Sequence, residues 1–402
     1  MKIAWIGPYD INSISHRIDQ KFDKPFHPAT WIKNAANALV KIPGIELHIL
    51  MHDKRFKKDY RFTENGIHFH LFKTPLAFIP RPLALYQLDR WKFYKELAII
   101  KPDIVHGHGT ENLFSYVAVT SGYPNVISIQ AIIKNLIKEY PRKTRQYYEH
   151  LIVQFVETFT IKNARNIIIK APFSEKYVKE INPSAKVTLI ENIVNQQYFK
   201  VTRKVNQDKK SLLFIGSVSA LKGIEELISA FELISKKVLD IELYIVGVGE
   251  HSYIENRIKP MIEKFSNSDK IKLLGHKTIP QIAELLSSAD MLVLPSYSDT
   301  SPNVVAEAMA AGVPVVGTNV GGIPFMIDDN ETGLVVPVRN YVALAEAILK
   351  ILGNKEMAQN MSLNAKRRSQ SRYGEDSFTK KILNLYNEII NSEQEGGHFV
   401  QR

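Results

Sequence analysis

The sequence predicts an α/β protein of two doubly wound domains, each a mainly parallel sheet covered by helices on both faces. Three observations carry this. Short apolar runs rich in Ile, Val and Leu alternate with longer stretches of helical periodicity, the pattern of strands buried on both faces. The alternation breaks once, near Glu191–Asp208, and then resumes, so two series imply two sheets. A length of 402 residues suits two or three domains, and 45% apolar with 23% charged residues is ordinary globular composition.

The first series opens with Lys2–Gly7, a strand closed by the turn pair Gly7-Pro8 and too short for a signal-peptide core. Ile45–Met51, Asp103–His106, Val126–Gln130, Arg165–Lys170 and Val187–Ile190 continue it. The polar stretch ENIVNQQYFKVTRKVNQD then lacks apolar periodicity, dividing a domain over 1–191 from one over 192–372. The second series runs Ser211–Gly216, Ile241–Gly247, Lys270–Leu274, Met291–Pro295, Val313–Gly317 and Gly333–Pro337. Over 373–402, Phe378, Ile382, Leu385, Tyr386 and Ile389 recur at helix spacing. They predict a terminal helix that frays at EQEGGHFVQR.

Composition excludes several chemistries. There is no cysteine, so disulfides, thiol nucleophiles and thiolate metal sites are absent. No apolar run approaches the roughly 20 residues that span a bilayer, and the expectation is a cytoplasmic protein. The net charge of +11 is lopsided: residues 1–200 hold 29 Lys and Arg against 17 Asp and Glu, and the remainder 23 against 24. That asymmetry points to an anionic partner for the first half, or to a solvated basic surface.

The richest segment is SYSDTSPNVVAEAMAAGVPVVGTNVGGIP, Ser296–Pro324. A strand leads into a polar loop, and Pro302 suits the first helical position with Ser301 as its cap. The helix start would turn the amides of Asn303 and Val304 and the positive dipole end toward an anion such as a diphosphate. Glu307 follows about five residues on, roughly 7.5 Å along the axis, placed to accept bonds from a ribose. Asp299, just ahead of the helix, would reach hydroxyls beyond the phosphates, or merely favour the helix start.

Asp299-x7-Glu307 followed by AMAAGVPVVGTNVGGIP resembles the signature of glycosyltransferase family 4, retaining nucleotide-sugar enzymes of GT-B architecture. FIGSVSALKG (Phe214–Gly223), IVGVGE (Ile245–Glu250), LLGHKTIPQIAELLSSADMLVLPS (Leu273–Ser296), ETGLVVP (Glu331–Pro337) and DIVHGHG (Asp103–Gly109) are similar to family segments in the same order. The resemblance implies two facing Rossmann-like domains with the reaction in the cleft, and a terminal helix over 373–402 that crosses back to the first domain. It assigns Glu307 to the donor ribose and Asp299 and His108 to the transferred sugar. It assigns Gly7 to donor binding, and Lys222, with Gly216, Ser217 and the amides around Pro302, Asn303 and Val304, to the phosphates. Gly275, His276 and Lys277 would flank the base. His106 reads as a buried structural residue, and His-x-His lacks the third ligand of a metal site. The donor would be a UDP- or GDP-sugar, with no obligatory cofactor or metal.

Three departures bear on catalysis. Ser217 stands where the family has Arg, so one diphosphate cation is missing. The usual Gly-Gly near the N-terminus is reduced to Gly7, with His16 and Arg17 as replacements. The first acid is Asp299, one methylene short of Glu, and Phe325 stands where a Glu often follows GGIP. The basic clusters Lys54, Arg55, Lys57, Lys58 and Arg142, Lys143, Arg145 suit an anionic acceptor or the inner membrane surface. Nucleic acid is not expected, because no reader motif is present. The competing readings are a nucleotide-sugar epimerase or glycan phosphorylase on the same architecture, and a binding partner that no longer turns over.

Overall fold

The computed structural model describes residues 1–22, 29–74, 87–137, 142, 144–206 and 208–395. The chain divides into two compact units, Met1–Ile193 with Glu375–Arg402, and Val194–Gly374. Lys143 and the residues after Glu395 lie outside the described residues.

The first unit holds an eight-stranded sheet. Its strands are β1 (Lys2–Ile6), β2 (Glu46–Asp53), β3 (Tyr60–Glu64), β4 (Ile67–Lys73), β5 (Ile104–His108), β6 (Asn125–Ser128), β7 (Asn166–Ile169) and β8 (Lys186–Leu189). They are ordered β3-β4-β2-β1-β5-β6-β7-β8, all parallel except β3. Alternate residues of β1 feed two cores. Ile3 and Trp5 pack with Leu47 and Ile49 on one face, Ala4 and Ile6 with Leu50 and Val105 on the other. Both faces are apolar because both are covered.

The helix Glu375–Glu395 supplies Phe378, Ile382, Leu385, Tyr386 and Ile389 to the first of these cores. A buried polar link anchors it there. Trp5 Nε1 donates to the Tyr386 hydroxyl at 2.9 Å, which lies 2.6 Å from His106 Nδ1, and His106 Nε2 lies 2.6 Å from Ser128 Oγ.

The β3–β4 hairpin is absent from the strands expected above, yet its signal is in the sequence. Asn65 and Gly66 both adopt positive φ (50° and 78°), the two-residue turn that Asn-Gly between alternating apolar residues favours.

The second unit contains β9 (Lys210–Ile215), β10 (Ile241–Val246), β11 (Ile271–Gly275), β12 (Met291–Leu294), β13 (Val315–Thr318) and β14 (Gly333–Val336). The order β11-β10-β9-β12-β13-β14 is wholly parallel. Strand order reverses between β9 and β12, and open α/β sheets bind ligands outside the carboxyl ends of their strands at such a point. In the first unit the same reversal falls between β1 and β5. Among the described residues, no helix is long and apolar enough to cross a membrane.

Candidate active site

In the second unit, β9 and β12 deliver two loops to the switch point. Gly216 and the exposed Ser217 follow β9, and Ser217 Oγ lies 3.3 Å from Ser219 Oγ. Lys222 closes the single turn Ala220–Lys222, and its ammonium pairs directly with the Asp299 carboxylate from the loop after β12. The Tyr297 amide donates to Leu221 O at 2.8 Å, tying the two loops together. The cation assigned to phosphate and the acid assigned to sugar therefore neutralise each other here.

Gly321 seals the same corner. It adopts φ +55°, and a Cβ there would fall 1.7 Å from Asp299 O, while the Gly322 amide donates to that oxygen at 3.1 Å. Only glycine permits that approach.

The helix after Asp299 spans Asn303–Ala310. Pro302 is its cap rather than its first residue, with extended backbone. Ser301 is not the cap, because its hydroxyl points to Met326 Sδ at 3.7 Å. Asn303 and Val304 head the helix, in the turn that lacks intrahelical acceptors. Glu307 sits one turn further on, and burial pushes its carboxyl up to about 7. No hydrogen-bond donor among the described residues reaches that carboxylate. Its neighbour is Tyr198, buried on the short helix Gln196–Phe199. Sequence reading passed Tyr198 over, because it lies in the stretch read as a linker.

Gly275 ends β11, two strands from β9 and so about 10 Å away. Its backbone is left-handed (φ +66°) with open space around it; His276 is exposed and Lys277 half-buried. This is the reach from a diphosphate at β9 to a base beside β11. A groove of about 490 Å³ lined by Lys210, Asp290 and Pro314 lies at the amino ends of these strands, opposite the switch point.

In the first unit, Gly7 follows β1 against His108 at the end of β5. A Cβ on Gly7 would stand 2.8 Å from His108 Cβ. The His108 ring stacks on His106 (centroids 3.8 Å) and meets Trp5 edge-on at 4.7 Å. Burial pushes both imidazoles well below the usual histidine value, so both are neutral. His106 is fully bonded, whereas neither ring nitrogen of His108 has a hydrogen-bond partner among the described residues.

His108 lines a narrow cavity with Gln130, Lys170 and Asn192, with room for about one water. Lys170 donates to Ile190 O at 3.0 Å, and burial lowers its ammonium to about 7 despite the nearby Glu191. Burial also raises the Glu111 carboxyl to about 7, and its Oε2 has no partner among the described residues. Lys170 and Glu111 were not singled out from sequence; a charged residue ending an apolar strand was the available signal for Lys170.

His16 and Arg17 do not replace the missing glycine beside Gly7. Buried Ile11 and Ile14 hold the segment Ile11–Arg17 across the sheet. His16 and Arg17 thereby reach Glu64 at 3.3 and 3.5 Å, at the amino-end edge beside Ile67. The basic cluster after β2 is also less available than its composition implies. Arg55 binds Asp53 through two 2.8 Å contacts and Lys58 binds Asp19 at 2.8 Å, leaving Lys54 and Lys57 exposed. Arg142 is exposed, and Arg145 opens the helix Arg145–Asn163.

Residues 29–198 match the family described as Glycosyltransferase Family 4, and residues 195–368 match Glycosyl transferases group 1. The chain belongs to the family 4 type of glycosyltransferase. This family 4 chain is 25% identical over 224 residues to N-acetyl-alpha-D-glucosaminyl L-malate synthase of Bacillus anthracis. The alignment takes in 54% of the chain and 57% of that relative, so the chain matches just over half of its length. Its fold is similar to sucrose-phosphate synthase of Thermosynechococcus elongatus, with TM-score 0.80, 21% identity, and 98% and 100% of the two chains covered. It is also similar to Anabaena HepE in complex with UDP-glucose, with TM-score 0.71, 15% identity, and coverage of 96% and 100%. At these identities the likeness is one of fold, the GT-B architecture.

One departure of this family 4 chain has a visible substitute contact. Phe325, where a Glu often follows GGIP, lies under the Arg372 guanidinium at 4.0 Å, and its carbonyl accepts from Arg372 Nη1 at 3.0 Å. The ring thus makes a cation–π contact.

Proposed function

We propose that the chain is a retaining glycosyltransferase that moves a sugar from a UDP- or GDP-sugar to a glycan or lipid-linked acceptor. The observation that carries this is Glu307. Its half-buried carboxylate has no hydrogen bond from the described residues, one turn beyond a helix start at the switch point, and ribose hydroxyls would supply such donors. HepE's complex with UDP-glucose supports a uridine donor.

In this reading the second unit is the donor domain and the first the acceptor domain. The bond from the sugar's anomeric carbon to the diphosphate breaks, and the acceptor oxygen bonds that carbon from the same face. The acceptor proton passes to a diphosphate oxygen, so no protein nucleophile is required. Lys222 leaves Asp299 for the diphosphate and offsets the charge of the leaving group. Asp299 is then released to hold sugar hydroxyls, and the ring nitrogens of His108, without a partner among the described residues, suit contact with a sugar hydroxyl.

Acceptor docking is assigned to the first unit's basic loops. On the helix Arg145–Asn163, Tyr148, Leu151, Phe155 and Phe159 recur at helix spacing and are all exposed. An apolar stripe opened by Arg142 and Arg145 suits an anionic lipid surface.

Thermal denaturation with UDP-, GDP- and ADP-sugars tests the donor. The cognate donor at 100 times its dissociation constant stabilises by about 2.7 kcal/mol; no stabilisation by any of the three removes the donor site. Ser217 in place of Arg favours a second reading, binding without turnover. Release of sugar from the stabilising donor, with or without acceptor glycans, separates the two.

A further inference from the structure

Away from the switch point, three histidines and a glutamate meet near the amino ends of β2 and β4. Parallel register sets His48 beside His68, and their rings stack at 4.7 Å. Glu46, two residues before His48, shares its face. One ligand atom from each of Glu46, His48 and His68 lies within 4.8 Å of the others.

The surrounding contacts orient these groups. The Thr63 hydroxyl lies 2.9 Å from His68 Nδ1, leaving Nε2 as that ring's ligating atom. His48 Nδ1 is 2.9 Å from His70 Nε2, and His70 Nδ1 is 2.7 Å from Glu96 Oε1. Arg61 holds Glu96 through contacts of 2.8 and 2.7 Å. A relay of this kind, ending in a carboxylate, fixes the ring of a metal-binding histidine.

Counting hydrogens shows what is missing. The line Glu46–His48–His70–Glu96 contains three close contacts, at 2.9, 2.9 and 2.7 Å. Two neutral imidazoles carry one N–H each, and ionised carboxylates carry none. Three contacts with two hydrogens leave one pair of lone pairs facing each other. When Glu96 and His70 take the two hydrogens, that pair is Glu46 Oε1 and His48 Nε2, the two atoms at the cluster's open end. A third hydrogen or a cation between them resolves the conflict; a cation also uses His68, the third group of the cluster. Lys2 Nζ pairs with the same Glu46 Oε1 at 3.5 Å while donating to Ile100 O at 3.1 Å, so a metal ion there would share that oxygen with the ammonium.

We propose that Glu46, His48 and His68 bind one Zn²⁺ ion, a clip between β2 and β4 that is separate from the sugar-transfer site. Two imidazole nitrogens and one carboxylate oxygen suit zinc, with water in the fourth position. Zinc–nitrogen bonds of about 2.0–2.1 Å place ligand atoms about 3.3 Å apart in a tetrahedron. Glu46 and His48 are already near that spacing, and the half-exposed His68 closes the remainder by a small side-chain rotation.

The test uses the full chain, stripped with a chelator and titrated with Zn²⁺ against a chromogenic competitor. The expected result is one ion per chain at micromolar affinity or tighter. It should weaken at least tenfold in His68→Ala and in Glu46→Gln, and be unchanged in His251→Ala, an exposed histidine of the second unit. Zn²⁺ should also raise the melting temperature of wild type but not of His68→Ala. Both substituted side chains lie outside the buried core, so circular dichroism should confirm that the variants fold. Absence of stoichiometric binding at 100 times micromolar Zn²⁺ would mean that a proton bridges the contact and would overturn the proposal. So would binding indifferent to both substitutions.

Discussion

Replacing Glu307 with Gln should move stability and donor affinity in opposite directions, and only above a definite pH. In the folded chain the carboxyl is raised from 4.5 to about 7 by burial. Between those values the native state holds a proton that the unfolded state has released, so stability falls as pH rises through this window. A shift of about 2.5 units corresponds to about 3 kcal/mol withdrawn once Glu307 is ionised. Below pH 4.5 nothing is withdrawn. Glu307→Gln carries no charge, so the ligand-free variant should gain up to about 3 kcal/mol at pH 8 and less than about 1 kcal/mol at pH 5. Donor binding should show the reverse. Loss of a charged acceptor should weaken the nucleotide by about 1.5–3 kcal/mol at pH 8. Wild-type affinity should also fall about tenfold from pH 8 to pH 6, where roughly one carboxyl in ten is ionised, while the variant's stays flat. Chemical denaturation and titration calorimetry at pH 5, 6 and 8 provide both readings. A variant destabilised at pH 8, or one whose donor affinity matches wild type, would refute the argument that this carboxylate is held unpaired for the ribose.

Lys222→Ala should lower turnover by about 10²-fold or more, measured as sugar release from the stabilising donor; wild-type turnover would mean the phosphates lie elsewhere. Ser217→Arg should raise turnover if Lys222 is the main cation at the diphosphate. Tyr386→Phe should cost about 1–3 kcal/mol in urea denaturation, because Trp5 Nε1 and His106 Nδ1 both lose their buried partner; an unchanged midpoint would place that hydroxyl outside the folding energetics. Binding to anionic vesicles should fall steeply between 0.1 and 1 M salt, as the screening length shrinks from about 10 to about 3 Å. It should also weaken on neutralising Arg142 and Arg145, whereas salt-independent binding would leave the first half's charge as solvated surface.

Much of the candidate site was legible because its signals are local. An apolar strand, a polar loop and a helix of small residues stopped ahead of Gly312 determine where Asn303, Val304 and Glu307 fall, since each follows from its neighbours in the chain. The burial of His106 was legible from its place within an apolar strand. The Asn65-Gly66 hairpin was equally local and was read past, because its strands carry His and Arg among the apolar residues and blur the alternation. Ser301 shows the limit of such signals. A serine before a helix is a frequent cap, yet its hydroxyl turned to Met326, a residue 25 positions away.

What the sequence determined by itself is therefore the alternation of strands and helices, the two series, and the residue types at strand ends and helix starts. These depend on periodicity and on backbone preferences within a few residues. Tertiary structure alone decided which of those residues are paired. Lys222 and Asp299 are 77 positions apart and neutralise each other; His108 has no partner among the described residues while His106 takes Tyr386 from 280 positions away. It also decided that His48 and His68 share a face, since a register shifted by one residue would send one of them to the other side of the sheet. Ionisation and metal affinity depend on distances and desolvation, which are properties of the packed chain.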